Sequence, residues 1–155
     1  MRSDIPHYKP FDQELYDIHD KATKEKVARW IGWWDGCEVR EGTQYGVDLE
    51  CYRGSKLHAL VEVESREFNG RCTYETIHVP YRKSKFYTSA VPTFLFAVDF
   101  EGRFGYFSTM LSIVLSPIKK VRNKYMEDNE YFYDVPIDRF IEFEINIPPY
   151  WIKEK

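Results

Sequence analysis

Residues 57–65, LHALVEVES, alternate apolar and polar positions with a period of two. Leu57, Ala59, Val61 and Val63 fall on one side of an extended chain. His58, Leu60, Glu62 and Glu64 fall on the other, a pattern that predicts a β-strand with one face in a core. YGVDLECY, just upstream, alternates in the same way, with Val47, Leu49 and Cys51 against Asp48, Glu50 and Tyr52. An antiparallel pairing that sets Asp48 against Glu62 puts Val47 opposite Val63, Leu49 opposite Val61 and Cys51 opposite Ala59. A slip of one residue would mix the two faces. A two-residue Gly54-Ser55 turn favours the other register, so this pairing needs a bulge or a three-residue loop.

The same reading extends to the rest of the chain. Residues 1–10 are expected to be an extended lead-in, because Pro6 and Pro10 block an early helix. Phe11 to about Ile31 is helical, with Phe11, Leu15, Ile18 and Ala22, then Val27, Trp30 and Ile31, at helical spacing. On that pattern Phe11, Leu15, Ile18, Ala22, Glu25 and Arg29 share a face, so Glu25 stands where an apolar residue is expected. Strands are predicted at about 37–41, 46–53 and 57–66. TFLFAVDF (93–100) is almost continuously apolar and predicts a strand buried on both faces. EGRFGYFS returns as its hairpin partner through a Glu101-Gly102 turn. TMLSIVLSPIKKV predicts a short helix stopped by Pro117, and EYFYDVP and DRFIEFEINI read as late strands. In TIHVPYRKSKFYTS, Pro80 argues against a helix running through but suits the first turn of a short one.

At 155 residues the chain predicts one domain, 1–155, of strand-rich α/β class. Twelve Tyr, eleven Phe and four Trp bring the aromatic fraction to 17%, which favours strands, a filled core and surfaces on which bases can stack. A net charge of -3 gives no global attraction to nucleic acid, so a polyanionic partner would have to use local patches. Two are visible, YRKSK (81–85) and KKVRNK (119–124). The three cysteines, at 37, 51 and 72, have no CxxC spacing and read as free thiols of a reducing compartment. No apolar run is long enough to cross a membrane and the first residues are not a signal peptide. A cytoplasmic protein is expected.

The paired strands carry the candidate chemistry. Directly opposed carboxylates destabilise a sheet and raise one another's pKa. A half-solvated strand answers this with water. A divalent cation answers it directly, since Mg²⁺ takes one or two carboxylates together with waters and a substrate phosphate.

An Asp at the start of one strand, followed by (Asp/Glu)-X-Lys on its antiparallel neighbour, is the motif of the PD-(D/E)XK, or restriction-endonuclease-like, nuclease superfamily. GVD ending in Asp48 and EVE supplying Glu62 and Glu64 resemble it over about residues 11–110. The resemblance implies a mixed central β-sheet flanked by helices and a metal-dependent endonuclease acting on nucleic acid, DNA by family habit. Asp48 and Glu62 would hold Mg²⁺ or Mn²⁺. Glu64 stands where the family usually has Lys, and would act as a metal ligand or base. Some members move the basic residue to a following helix, a role for which Lys83 is the better candidate over Lys85. The family often adds a helix Glu to the metal, and Glu25 would be that residue. A chain this small leaves a homodimer, or recognition of substrate structure, open. A phage or mobile element, and hence a host cytoplasm, would suit it.

Two other classes fit the residues. The missing motif Lys suits a catalytically inactive nuclease-fold protein that binds nucleic acid or a protein partner. The aromatic stretches FYTSAVPTFLF and PPYWI suit a small β-rich interaction domain. Neither predicts metal-dependent cleavage.

Overall fold

The structure is a computed structural model that describes residues 13–42, 46–66, 68, 70–87, 90–122 and 129–149. Helix α1 (Gln13–Asp35) comes first, followed by strands β1 (Glu38–Glu41), β2 (Leu49–Arg53) and β3 (Lys56–Ser65). β4 (Thr76–Pro80) leads into a 3-10 segment (Tyr81–Phe86). β5 (Thr93–Val98) and β6 (Phe104–Thr109) form a hairpin, and the short helix α2 (Met110–Val114) follows. β7 (Ile118–Arg122), β8 (Asn129–Pro136) and β9 (Ile141–Glu144) complete the described chain.

Six strands make one mixed sheet in the order β1-β2-β3-β5-β6-β9, with only β3 and β5 parallel. A parallel neighbour needs a long crossover. Here the crossover contains β4 and the 3-10 segment. β4, β8 and β7 make a second, antiparallel sheet.

The β2/β3 pairing is the one that gathers the apolar residues, with Leu49 opposite Val61 and Cys51 opposite Ala59. The turn conflict is resolved by an irregularity. Tyr52 pairs with Leu57 and Arg53 with Lys56, so a tight turn closes the hairpin and His58 becomes the extra residue. Gly54, at φ 63°, supplies the left-handed turn conformation.

The main sheet is buried on both faces. On one face Val27, Trp30 and Ile31 of α1 pack against Leu49, Cys51, Val61, Val63, Phe96 and Phe107. On the other, Leu95, Ala97 and Tyr106 meet Val79 of β4, Tyr133 of β8 and Met110 of α2. β5 lies between these layers, which explains its continuous apolar sequence.

Helix α1 differs from expectation in its buried face and its end. Thr23, Val27, Trp30 and Ile31 are buried, whereas Ala22, Glu25 and Arg29 are exposed. The large side chains of Trp30 and Ile31 set the rotation of the helix, because they bring far more apolar area than Ala22. The helix also runs past Gly32, since Trp33 and Trp34 still pack on the core. It stops at Gly36, φ 78°, whose N–H donates to the Gly32 carbonyl at 3.0 Å. Among the described residues no helix is long and apolar enough to cross a membrane.

Phe143 of β9 stacks on Trp30 with ring centroids 4.0 Å apart. It leans over Gly105, its register partner, and a Cβ there would collide with the ring. Gly105→Ala is therefore expected to destabilise the fold by about 1–3 kcal/mol. The check is a urea midpoint that falls with an unchanged slope. An unchanged midpoint would contradict this packing.

Candidate functional site

β3 carries its carboxylates on the face turned towards the second sheet. That face is not wet. Glu62 is 3% exposed and Glu50 is 2% exposed. The half-solvated strand is thereby excluded, and Glu50 is buried as well and accepts a hydrogen bond from the Tyr52 hydroxyl at 2.9 Å. A carboxylate removed from water must be answered by protein groups, because an unpaired buried charge costs several kcal/mol.

Glu62 is answered twice. Its Oε2 accepts from the backbone N–H of Asp48 at 3.0 Å. Its Oε1 accepts from Lys83 Nζ at 2.6 Å. The same ammonium lies 3.6 Å from Glu64 Oε2. Pro80 opens the 3-10 turn with φ -54°, and that turn carries Lys83 back over β3. Arg66 Nη1 donates to Glu64 Oε1 at 2.9 Å.

Asp48 lies in the short segment before β2, in line with Glu62 by extension of the register. Its Oδ2 accepts from Val63 N–H at 2.8 Å, and its Oδ1 lies 3.0 Å from Lys24 Nζ. Asp48 and Glu62 thus exchange hydrogen bonds with the opposite strand, which locks both carboxylates side by side. Lys24 also bonds Asp20, one helical turn back, at 3.1 Å. Partial burial works against the charge on Lys24, but the hydrogen bonds it donates to Asp48 and Asp20 outweigh that and hold its pKa above the ordinary lysine value. The Glu62 carboxyl is pushed above its ordinary value, chiefly by burial and also by the Asp48 charge, against the pull of Lys83.

The structure thus brings Asp48, Glu62, Glu64 and Lys83 together. Glu25 is not brought to them. It is exposed on α1 and lines an open groove with Asp20, Lys24 and Arg40. The rotation of α1 that buries Trp30 turns Glu25 outward and points its neighbour Lys24 at Asp48. Sequence reasoning missed Lys24 because a lysine on a helix is ordinarily a solvated residue. His58 does not share the acidic face either. The bulge turns it towards α1, with Nε2 3.6 Å from Asp35 Oδ2. Tyr45, the first residue of YGVDLECY, lies outside the described residues, as do Asn123 and Lys124 of KKVRNK.

A second buried acid shows what a purely structural carboxylate looks like here. Asp99 is 1% exposed, and its hydrogen bonds among the described residues come from the backbone N–H groups of Gly70, Arg103 and Phe104. It ties the turn of the β5/β6 hairpin. Glu62 is matched instead by a side-chain cation from a distant segment.

Among the described residues no three His, Cys, Asp or Glu side chains are already arranged to hold a metal ion. Two carboxylates side by side still match the donors that Mg²⁺ or Mn²⁺ takes from a protein, the remaining positions going to water and phosphate. The pair Asp48 and Glu62 fits that donor chemistry. Glu25 does not join it.

Two outcomes follow from the ion-pair geometry. Lys83→Met leaves Glu62 buried without its cation and should destabilise the fold by about 3 kcal/mol near pH 7, measured by urea unfolding. An effect within experimental error would mean that water already reaches Glu62. The second concerns pH. Burial raises the Glu62 pKa above 4.5, so the folded chain keeps a proton there after the unfolded chain has lost it. Stability linked to Glu62 is full below the unfolded value and is lost as pH rises through the folded value. The unfolding free energy of wild type minus that of Glu62→Gln should therefore decline as pH is raised above 4.5. A flat difference would count against the raised pKa.

Set against models of protein families, curated proteins and solved structures, the chain finds no significant match to any of them.

Proposed function

We propose that the chain is a small metal-dependent endonuclease of the PD-(D/E)XK type, hydrolysing phosphodiester bonds of nucleic acid, with DNA the first substrate to test. The observation that carries this reading is the convergence on Glu62. Lys83, from the crossover, lies against both Glu62 and Glu64, while the backbone locks Asp48 beside Glu62. A buried set of opposed charges is an expensive way to build a core, since apolar residues of similar volume are often neutral or better. Such clusters are concentrated at functional sites. The strand order adds support. A helix, three antiparallel strands and a crossover to a parallel fourth strand match part of the restriction-endonuclease-like arrangement, with Asp48 just before the second strand and Glu62 and Glu64 on the third, although the crossover holds a strand and a 3-10 turn instead of the flanking helix expected.

In this reading Asp48 and Glu62 hold Mg²⁺ or Mn²⁺. The chemistry such an ion would supply when bound is Lewis acidity towards the phosphodiester and a more acidic water. The chain's own groups do the rest. Lys83 takes the place of the motif lysine, and its ammonium, released from Glu62, faces the scissile phosphate. Glu64 accepts the proton of the attacking water, and Arg66 holds Glu64 in position. Lys24 pairs with Asp48 and fixes the position of its carboxylate.

One observation favours a second reading, a nuclease fold that binds nucleic acid or a protein without cleaving. Each oxygen of Asp48, Glu62 and Glu64 already faces a cation or an N–H group. The site is therefore balanced without a metal.

The deciding experiment is cleavage of single-stranded, duplex and branched DNA and of RNA with Mg²⁺, Mn²⁺ or EDTA. Metal-dependent cleavage is expected in wild type. Glu62→Gln should abolish it, and Lys83→Met should lower the rate by about a hundredfold if the ammonium stabilises the transition state. Absence of cleavage by wild type with either metal, together with cleavage gained in Glu64→Lys, would establish the second reading.

A further inference from the structure

Lys83 stands where a metal ion on Glu62 would have to stand. Glu62 Oε2 is taken by the Asp48 N–H at 3.0 Å, so Oε1 is the oxygen left for a cation, and Lys83 Nζ lies 2.6 Å from it. The same ammonium is 3.6 Å from Glu64 Oε2. Glu62 is 3% exposed, whereas the Lys83 side chain is 13% exposed, so the lysine lies on the outer side of the pair. A divalent ion coordinated by Oε1 would come within about 5 Å of that ammonium, and in an interior of low dielectric the two cations repel strongly. They exclude one another.

The segment that carries Lys83 is the part able to give way. No residue of the 3-10 turn Tyr81–Phe86 is buried, and no side chain caps its start. Segments with few buried contacts open at low cost, and moving covers are drawn from them. The stack of Tyr81 on Tyr133, with centroids 5.4 Å apart, anchors the first residue of the turn. Asp48 and Glu62, by contrast, are tied to the backbone of opposite strands, at 2.8 and 3.0 Å. Lys24 differs from Lys83 as well. Asp20 shares its ammonium at 3.1 Å, and its side chain is 29% exposed, at the rim of the site.

We infer that, with Asp48 and Glu62 as the proposed metal pair, Lys83 is a latch on that site. Its ammonium and a divalent cation compete for Glu62 Oε1. Without metal the lysine is held down on the carboxylates and the turn is closed over them. Metal binding frees the ammonium and brings it within reach of solvent and of an anionic substrate. Lys83 thus sets the affinity for metal as well as the charge presented to the substrate.

The test uses the whole chain without nucleic acid, with Mn²⁺ as the probe. Free Mn²⁺ is read by electron paramagnetic resonance in wild type, Lys83→Met and Arg66→Met, each checked for folding by circular dichroism. An open form that makes up at most about a tenth of the population lowers the apparent affinity at least about tenfold, so Lys83→Met should bind Mn²⁺ more tightly by at least that factor. Arg66→Met removes a charge beside Glu64 without vacating Glu62 Oε1, and should change the affinity by less than about threefold. The second readout is the reactivity of Lys83 in wild type towards a succinimidyl ester, located by mass spectrometry and compared with the exposed Lys56. Lys83 should be protected in EDTA and at least about fivefold more reactive in saturating Mn²⁺, with Lys56 unchanged. If Lys83→Met does not fold, the labelling of wild type decides. Equal Mn²⁺ affinity in wild type and Lys83→Met, an equal gain in Arg66→Met, a Lys83 reactivity that ignores Mn²⁺, or no Mn²⁺ binding by any form would overturn the latch. Cleavage is scored separately. Release of Lys83 by Mn²⁺ without cleavage of any nucleic acid removes the nuclease reading and keeps the latch. Cleavage by a chain whose Lys83 ignores Mn²⁺ does the reverse.

Discussion

A carboxylate that has lost its water must find its partners within hydrogen-bond distance, and Glu62 organises the molecule around that requirement. It sits in the middle of the sheet, on a face closed over by the crossover and the second sheet. Three separate constraints meet there. The β2/β3 register supplies the Asp48 N–H, the 3-10 turn supplies the Lys83 ammonium, and the parallel β3/β5 pairing fixes the two ends of the crossover that carries that turn. Moving any of these would strand a charge in a low-dielectric interior, where its cost is several kcal/mol.

Much of the fold was legible because burial on the main sheet follows simple periods. The alternation of residues 47–51 and 57–63 specified both the strands and their register, and the apolar run at 93–98 specified the central strand. The conflict at Gly54-Ser55 also had a readable answer, since the turn and the register can both hold only with an irregularity between them. β4 and β7 were less legible. TIHVP ends in a proline and IKKVR is rich in cations, so neither looks like a core strand. Both depend on β8, a partner reached only through the tertiary fold.

Of the site residues, those on strands were readable and the helix residue was not. Asp48, Glu62 and Glu64 follow from register, and Lys83 from the proline that starts its turn. On α1 the sequence contains two competing stripes one residue apart. The choice between them depends on how Trp30 stacks with Phe143, a contact that no local pattern encodes. That single rotation exchanged Glu25 for Lys24. An expected acid became an observed base, and the charge balance of the site changed with it.

The stacking of Trp30 on Phe143 also has a meaning in time. The helix is made well before the ring that fixes its rotation, because Phe143 follows Trp30 by about a hundred residues. Contacts this distant in sequence form late and slow the search for the native state. Until β9 arrives, α1 is free to turn. Until β8 arrives, β4 has no sheet to join, and Glu62 can keep its water. The layer that shuts water away from the charge cluster is therefore built from segments far apart in sequence, and the cluster is enclosed only after they have met.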